Sequence, residues 1–135
     1  MKSRIIDLFF LLLVIALLTR PGQRFVVGSA WWFLSTFMGE DGLYSAVLRE
    51  YYCNNEHSCR HEQGHQDDHA LGWFSQTPEF EATVNILENC DIPELYALNN
   101  HSGTNREIYA DLYATTNREG FDNLVDMLLD YAEQC

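Results

Sequence analysis

One short stretch of this chain carries residues that together could bind and use a metal ion. The five residues from His61 to His65 read His-Glu-Gln-Gly-His. On an α-helix, residues four positions apart lie on one face, so both imidazoles can reach a single ion. Glu62 would lie beside that ion, where its carboxylate could act as a general base toward water. The pattern therefore predicts a helix that carries half of a zinc-hydrolase site.

The site needs another ligand, because a catalytic zinc ion takes three protein ligands and leaves the fourth position to water. His69 lies two helical turns from His61, about 12 Å along the axis, which is too far for metal bonds of about 2 Å. The third ligand must come from another element, and Glu107 is the best candidate. On a helix predicted over residues 106–116, Asp111 shares the face of Glu107 and could accept the second ring N–H of a ligand histidine.

Small residues indicate that these two helices pack closely. Ala110 and Ala114 lie on or near the face that carries Glu107. Gly64 costs about 1 kcal/mol relative to alanine in a helix interior, so its presence suggests close packing there. The small residues beside Glu107 would let that helix approach the one that carries His61 and His65.

The two motifs resemble those of the gluzincin class of zinc metallopeptidases, in which His-Glu-x-x-His is followed by Glu-x-x-Ala-Asp on a second helix. The fuller run over residues 59–114 is most similar to the peptidase domain of the anthrax lethal factor group, and it also includes Asp68, Gly72, Trp73, Ser75 and Phe80. The resemblance implies a zincin-like fold, Zn²⁺ as cofactor and a peptide or protein substrate. It also implies that His61, His65 and Glu107 bind zinc and that Glu62 activates water. Asp68 lies near the ligand face and could orient an imidazole.

Each of these residues also has a simpler interpretation. Residues 104–107 fit a capping box, in which Glu107 returns to the amide of the N-cap residue. The histidines could form a polar stripe on a surface helix. Asp68 and Asp111 could be solvated helix charges.

The N-terminal segment predicts targeting or membrane attachment. A basic start at residues 1–4 precedes an uncharged apolar run of 11 residues, from Leu8 to Leu18. That length is short for a span of about 20 residues, so residues 1–24 are predicted to be a signal or, by preference, an uncleaved anchor. A buried helix in a soluble protein is the alternative. The second apolar run, Phe25 to Met38, could be a membrane helix, a buried strand and helix, or part of an extended signal region.

Four cysteines allow three disulfide pairings. We prefer Cys53 with Cys59 and Cys90 with Cys135, since the second bond would hold down the C-terminal helix. With a targeting segment present, disulfides indicate an extracytoplasmic domain that is secreted or anchored by its N terminus. The rival is a closed structural zinc site made by Cys53, Cys59 and the two motif histidines.

The charge of the chain is strongly acidic. From residue 25 onward there are 4 Arg, no Lys and 19 acidic residues, which gives a formal charge of −15. Such a surface repels phosphate backbones, so we expect no nucleic-acid partner. The same charge could favour cationic peptides, although acidity also maintains solubility.

Residues 25–135 can form one domain. Leu43 to Tyr52 reads as a strand or short helix, and the metal helix is predicted from about Ser58 to Ala70. Further helices are predicted after Thr77 and after Gly120. The fold class is therefore α+β and mostly helical, with at most a small sheet. In zinc peptidases of this type an edge strand binds extended substrate, and here only residues 25–52 leave room for one.

Together these features predict a small zinc-dependent endopeptidase. Two alternatives stay open: a zinc-binding effector or pseudoenzyme without catalysis, and a disulfide-stabilised, membrane-anchored binding domain without metal. The sequence does not choose the donor that would stabilise the oxyanion among Tyr109, Tyr113, Tyr131 and His101. It also does not reveal the substrate or the oligomeric state.

Overall fold

The structure is a computed structural model that describes residues 10–15, 18–90, 92–95, 98 and 103–135. The basic start at residues 1–4 and residues 99–102, which include the suggested oxyanion donor His101, lie outside the described residues. Within them, helices dominate and two short antiparallel strands form one small sheet. The predicted class, mostly helical α+β, is confirmed.

The elements follow one another without long extended segments. In chain order they are α1 (Arg20–Phe33) continued by a π-helical turn (Leu34–Met38), β1 (Gly42–Ser45), β2 (Glu50–Cys53), α2 (Glu56–Ala70), a 3-10 turn (Phe74–Gln76), α3 (Pro78–Leu87), a second 3-10 turn (Pro93–Leu95), α4 (Asn105–Thr115) and α5 (Leu124–Gln134). Residues 10–15 are also helical.

Local capping fixes both ends of α2. The Asn55 side chain accepts a hydrogen bond from the backbone N–H of Ser58 at 2.8 Å, and the Ser58 hydroxyl accepts one from the Asn55 amide at 3.3 Å. This reciprocal capping box starts the helix two residues before its predicted beginning at Ser58. Gly72, just after the helix, has a φ of 73°, a left-handed conformation in which glycine carries no steric penalty.

The hairpin lies along α2. β1 pairs with β2 so that Gly42 is opposite Cys53. A disulfide joins Cys53 to Cys59 in the first turns of α2, and further along the helix the Gln66 side chain donates to the carbonyl of Arg49 at 2.8 Å. The strands are therefore held in a fixed register beside the helix that carries the two histidines.

The apolar core lies on the other side of the domain, between α3, α4 and α5. Its buried members are Phe80, Val84, Leu87, Leu95, Leu98, Tyr109, Leu112, Leu124, Met127 and Leu128. At the edge of this core, the Tyr109 hydroxyl donates to the Asp67 carboxylate at 2.6 Å, which gives that polar residue of α2 a partner. Burial and this hydrogen bond raise the pKa of the Tyr109 phenol. The core thus holds α4 against α2.

The N-terminal part of the domain exposes its apolar side chains. Phe25, Trp32 and Phe33 are 75%, 62% and 52% exposed, and no residue of α1 is buried. The second apolar run is therefore not a buried strand and helix. Among the described residues we find no helix with the length and hydropathy that crossing a bilayer requires. The predicted domain boundary after residue 24 falls within α1 and stays a prediction.

Both preferred disulfides are present. Cys53 pairs with Cys59, and Cys90 pairs with Cys135. A closed structural zinc site would need the first pair as thiolates, so the disulfide excludes that alternative in this oxidised form. The second bond joins the segment after α3 to the end of α5.

We predict that the two disulfides contribute unequally to stability. They close loops with sequence separations of 45 and 6 residues, so loop-closure entropy gives about 4 kcal/mol for Cys90–Cys135 and about 2 kcal/mol for Cys53–Cys59. The difference is measured by urea unfolding of two variants, one with Cys53 and Cys59 changed to serine and one with Cys90 and Cys135 changed to serine. Equal losses, or a larger loss from the shorter loop, would contradict the expectation.

Candidate metal centre

Two histidines from α2 and a glutamate from α4 converge on one point. His61 Nε2 lies 3.2 Å from one carboxylate oxygen of Glu107, and His65 Nε2 lies 3.5 Å from the other. One ligand atom from each residue lies within 4.8 Å of the others. The structure thus brings together the three residues predicted as ligands.

Two separations in the cluster, which end on different oxygens of Glu107, are close to those between zinc ligands. Ligand atoms bound at about 2.0–2.1 Å in a tetrahedron lie about 3.3–3.4 Å from one another. The two histidine–carboxylate distances, 3.2 and 3.5 Å, are close to that value. Two imidazoles and one carboxylate form a donor set that suits zinc and leaves one coordination position open.

Asp111 holds the ring of His61. His61 Nδ1 lies 2.7 Å from Asp111 Oδ1. Because an ionised carboxylate can only accept, Nδ1 donates to Asp111, and Nε2, which faces Glu107, is the nitrogen that would bind a metal ion. This is the contact expected of a residue that fixes the tautomer of a metal ligand.

His65 is held differently. It is 7% exposed, and its Nδ1 is buried without a hydrogen-bond partner among the described residues. Burial lowers the pKa of the imidazole, and the nearby charge of Glu107 partly opposes that change. A lowered pKa keeps the ring neutral near pH 7, as a metal ligand must be.

Glu62 is buried beside the triad, with 7% of its surface exposed. Burial raises the pKa of its carboxyl group to about 7, His61 opposes this change and the charge of Glu107 adds to it. Gly42 on β1 makes the close approach possible, because a Cβ at this position would lie 2.8 Å from Glu62 Cγ. The carboxylate predicted as the base is therefore confined between the strand and the two histidines.

The two ligand-bearing helices touch at Gly64. A Cβ on this residue would lie 2.7 Å from the Cα of Ala110 and 2.9 Å from the Cβ of Tyr113. Real Cβ atoms do not approach backbone this closely, so only glycine allows the contact. The predicted close packing of the helices is confirmed.

The remaining predicted residues have other partners. Asp68 is fully buried, and its two oxygens accept hydrogen bonds from the amide and hydroxyl of Ser75 at 2.8 and 2.6 Å, rather than from an imidazole. His69 Nδ1 lies 2.6 Å from the Tyr44 hydroxyl, outside the cluster of possible ligands. Asp68 therefore stabilises the turn after α2. The position of His69 agrees with its exclusion from the predicted ligands.

The structure does not contain the capping box that was the simpler interpretation of Glu107. Thr104 is the N-cap residue of α4 and makes no side-chain cap hydrogen bond. The Glu107 carboxylate instead faces the two histidines.

Three of the four residues suggested as oxyanion donors do not line the groove that contains the triad, and the fourth, His101, lies outside the described residues. Tyr109 is fully buried and donates to Asp67, and Tyr131 packs on Phe121. The groove that contains the triad, about 600 Å³ in volume, is lined by neither of them, nor by Tyr113.

Sequence reasoning missed two residues that do line this groove, Tyr44 and Arg106. Tyr44 follows Gly42 by two positions, and strand periodicity could have placed both on the face toward α2. Arg106 immediately precedes Glu107, but helical spacing alone does not show what the neighbour of a ligand contacts.

Comparison of the chain with models of protein families, with curated proteins and with solved structures gave no match. The chemistry of the site is therefore argued from its own geometry.

We predict that Gly64→Ala separates α2 from α4. The added methyl group would overlap Ala110, so the free energy of unfolding should fall by about 1–3 kcal/mol, measured by urea denaturation. Gly28→Ala is the matched control, since nothing lies within 4 Å of a Cβ at that helical position. A Gly64→Ala variant as stable as the control would mean that the helices do not need this contact.

Proposed function

We propose that this protein is a zinc-dependent metalloendopeptidase. The observation that carries the proposal is the convergence of His61, His65 and Glu107 on one point, with ligand-atom separations of 3.2 and 3.5 Å. Two further features support it: the hydrogen bond from His61 to Asp111 and the buried carboxylate of Glu62. A structural role alone would not need a carboxylic acid buried next to a preformed ligand set.

The roles of the residues follow from their positions. When bound, zinc would lower the pKa of a coordinated water toward neutrality and polarise the carbonyl of the scissile bond. Glu62 would accept the proton of the attacking water and later pass it to the leaving amine. Burial shifts the pKa of its carboxyl group upward, toward the working pH at which a general base is most effective. Asp111 would hold His61 in the ligand tautomer.

A peptide substrate is supported by β1, which lines the same groove. The wall of the groove includes the whole run from Gly39 to Tyr44. β1 pairs with β2 on one side, and its other edge is unpaired within the described residues. An unpaired edge presents a row of N–H and C=O groups that an extended peptide can join as an additional strand. This arrangement would hold a peptide chain across the three ligands.

We also propose that the domain lies outside the cytoplasm and is attached to a membrane surface through its N-terminal part. Two disulfides favour an oxidising compartment. The exposed apolar side chains of residues 10–15 and of α1 support contact with lipid, since soluble surfaces seldom carry so many large apolar groups together.

The first prediction for this function concerns zinc content. His61→Ala, His65→Ala and Glu107→Ala should each lose stoichiometric zinc, because two protein ligands do not hold the ion tightly. His69→Ala should retain it. Asp111→Asn should bind zinc about 10–100-fold more weakly, because the orientation of His61 is lost. Metal analysis of the purified proteins and competition with a chelator measure these effects.

Two outcomes would contradict this assignment. Wild-type protein without stoichiometric zinc would remove the metal site altogether. Loss of zinc in His69→Ala equal to that in Glu107→Ala would mean that the third ligand is wrong.

The second prediction separates catalysis from metal binding alone. Glu62→Gln should keep its zinc but cleave an unstructured protein such as casein at least about 100-fold more slowly, because the general base is lost. Glu56→Gln, an exposed acid on the same helix, is the matched control and should cleave casein at the wild-type rate. Equal activity of Glu62→Gln and wild type would exclude Glu62 as the base. Zinc binding without cleavage by the wild type would favour the non-catalytic effector or pseudoenzyme.

A further inference from the structure

Among the described residues that line the groove, Arg106 is the one lysine or arginine. The chain has 20 acidic and 8 basic residues, so a cation at this position contrasts with the general charge of the protein. Burial is the main cause of both the lowered pKa of His65 and the raised pKa of Tyr44, and the positive charge of Arg106 adds to the first change and opposes the second. Arg106 therefore lies within electrostatic range of both the triad and β1.

A stack of rings holds the guanidinium in place. The Arg106 Cζ lies 4.2 Å from the centre of the Trp73 ring, and Trp73 stacks on His69 at 4.5 Å with an interplanar angle of 9°. The Tyr44 hydroxyl, 2.6 Å from His69 Nδ1, ties this stack to β1. An arginine ordered in this way loses little conformational entropy when it binds a ligand.

Arg106 has no acidic partner in the described part of the chain. No carboxylate there forms an ion pair with it, and its Nε is buried without a hydrogen-bond partner. Arg24, by contrast, pairs with Glu50 on the surface. A guanidinium presents five donors in a planar fork that matches a carboxylate, so an ordered and unpaired one in a groove is suited to an anionic group.

The direction of β1 determines which part of a bound peptide meets Arg106. Gly42 contacts Glu62 and Tyr44 contacts His69, so β1 runs in the same direction as α2. A peptide that adds antiparallel to β1, the commoner pairing, runs the opposite way. Its residues before the scissile bond therefore approach the end of the groove marked by Tyr44 and Arg106.

The opposite end of the groove is acidic. Glu40 and Asp41 precede β1 and line the groove there. They would face the residues that follow the scissile bond and repel a free C-terminal carboxylate. The groove thus has opposite charges at its two ends, with the triad between them.

We propose that the groove selects peptides that carry an Asp or Glu side chain on the N-terminal side of the scissile bond, with that carboxylate bound by Arg106. This inference rests on the proposed peptidase function, since it names the substrate class of the same site. The carboxylate of a chain end is a second source of the same chemistry, and the experiment separates the two.

The test uses matched quenched-fluorescence peptides and the full-length protein. The peptides carry Asp, its neutral counterpart Asn, or Lys at the positions just before the cleaved bond, each with a free or an amidated C terminus. We expect kcat/KM for the Asp peptide to exceed that for the Asn peptide at least about tenfold, as for a charge-assisted hydrogen bond. Arg106→Gln should abolish the difference and Arg106→Lys should keep part of it.

Arg118→Gln is the matched control. Arg118 also lies over an aromatic ring, 3.9 Å from the centre of Tyr113, but does not line the groove. This variant should keep the full preference for the Asp peptide. Equal rates for the Asp and Asn peptides, or a preference that survives in Arg106→Gln, would overturn the inference. The inference would also be overturned if amidation of the peptide C terminus reduced the rate as much as Arg106→Gln does.

A binding measurement separates this inference from the proposed function. Fluorescence anisotropy of the same peptides with Glu62→Gln reports affinity without cleavage. Tighter binding of the Asp peptide that depends on Arg106, with no cleavage by wild type, would support the anion site and reject the peptidase. Cleavage by wild type with equal affinity for the Asp and Asn peptides would retain the peptidase and reject the anion site.

Discussion

The candidate site depends on one steric constraint, the contact of α2 with α4 at Gly64. A Cβ there would lie 2.7 Å from the backbone of Ala110, so the helices approach as closely as two backbones allow. Glu107 and Asp111 lie on either side of Ala110 along α4, and the contact brings both carboxylates to the imidazoles of α2. The distances within the site are therefore set by the absence of one methyl group rather than by the polar residues themselves.

Much of the site could be predicted because it lies within single helices. Helical periodicity fixes which face carries His61 and His65, and the same rule places Asp111 one turn after Glu107. The unfavourable glycine in α2 indicated close packing at Gly64, which the structure confirms, and the structure shows that Ala110 of α4 is the neighbour. The caps and stops of helices are also local signals, so α3, with Thr77 as its N-cap and Pro78 in its first turn, began where expected.

Other contacts could not be predicted because they join elements whose register the sequence does not specify. Asp68 lies on α2 near the ligands, yet its partner is Ser75 in the following turn. Likewise, the short distance between Gly42 and Glu62 depends on the position of the hairpin along α2. The exposure of α1 could not be predicted either, since apolar composition alone does not distinguish a buried helix from an exposed one.

The edge of β1 that is unpaired within the described residues affects how copies of this protein interact with one another. Exposed strand edges promote self-association, because an identical strand from a second molecule can pair with them. Here Glu40 and Asp41 lie next to the edge, and the formal charge beyond residue 24 is −15. Two copies approaching edge to edge would repel each other, whereas a short peptide would not meet the same barrier. The acidity of the chain thus opposes the pairing of two copies along this edge of β1.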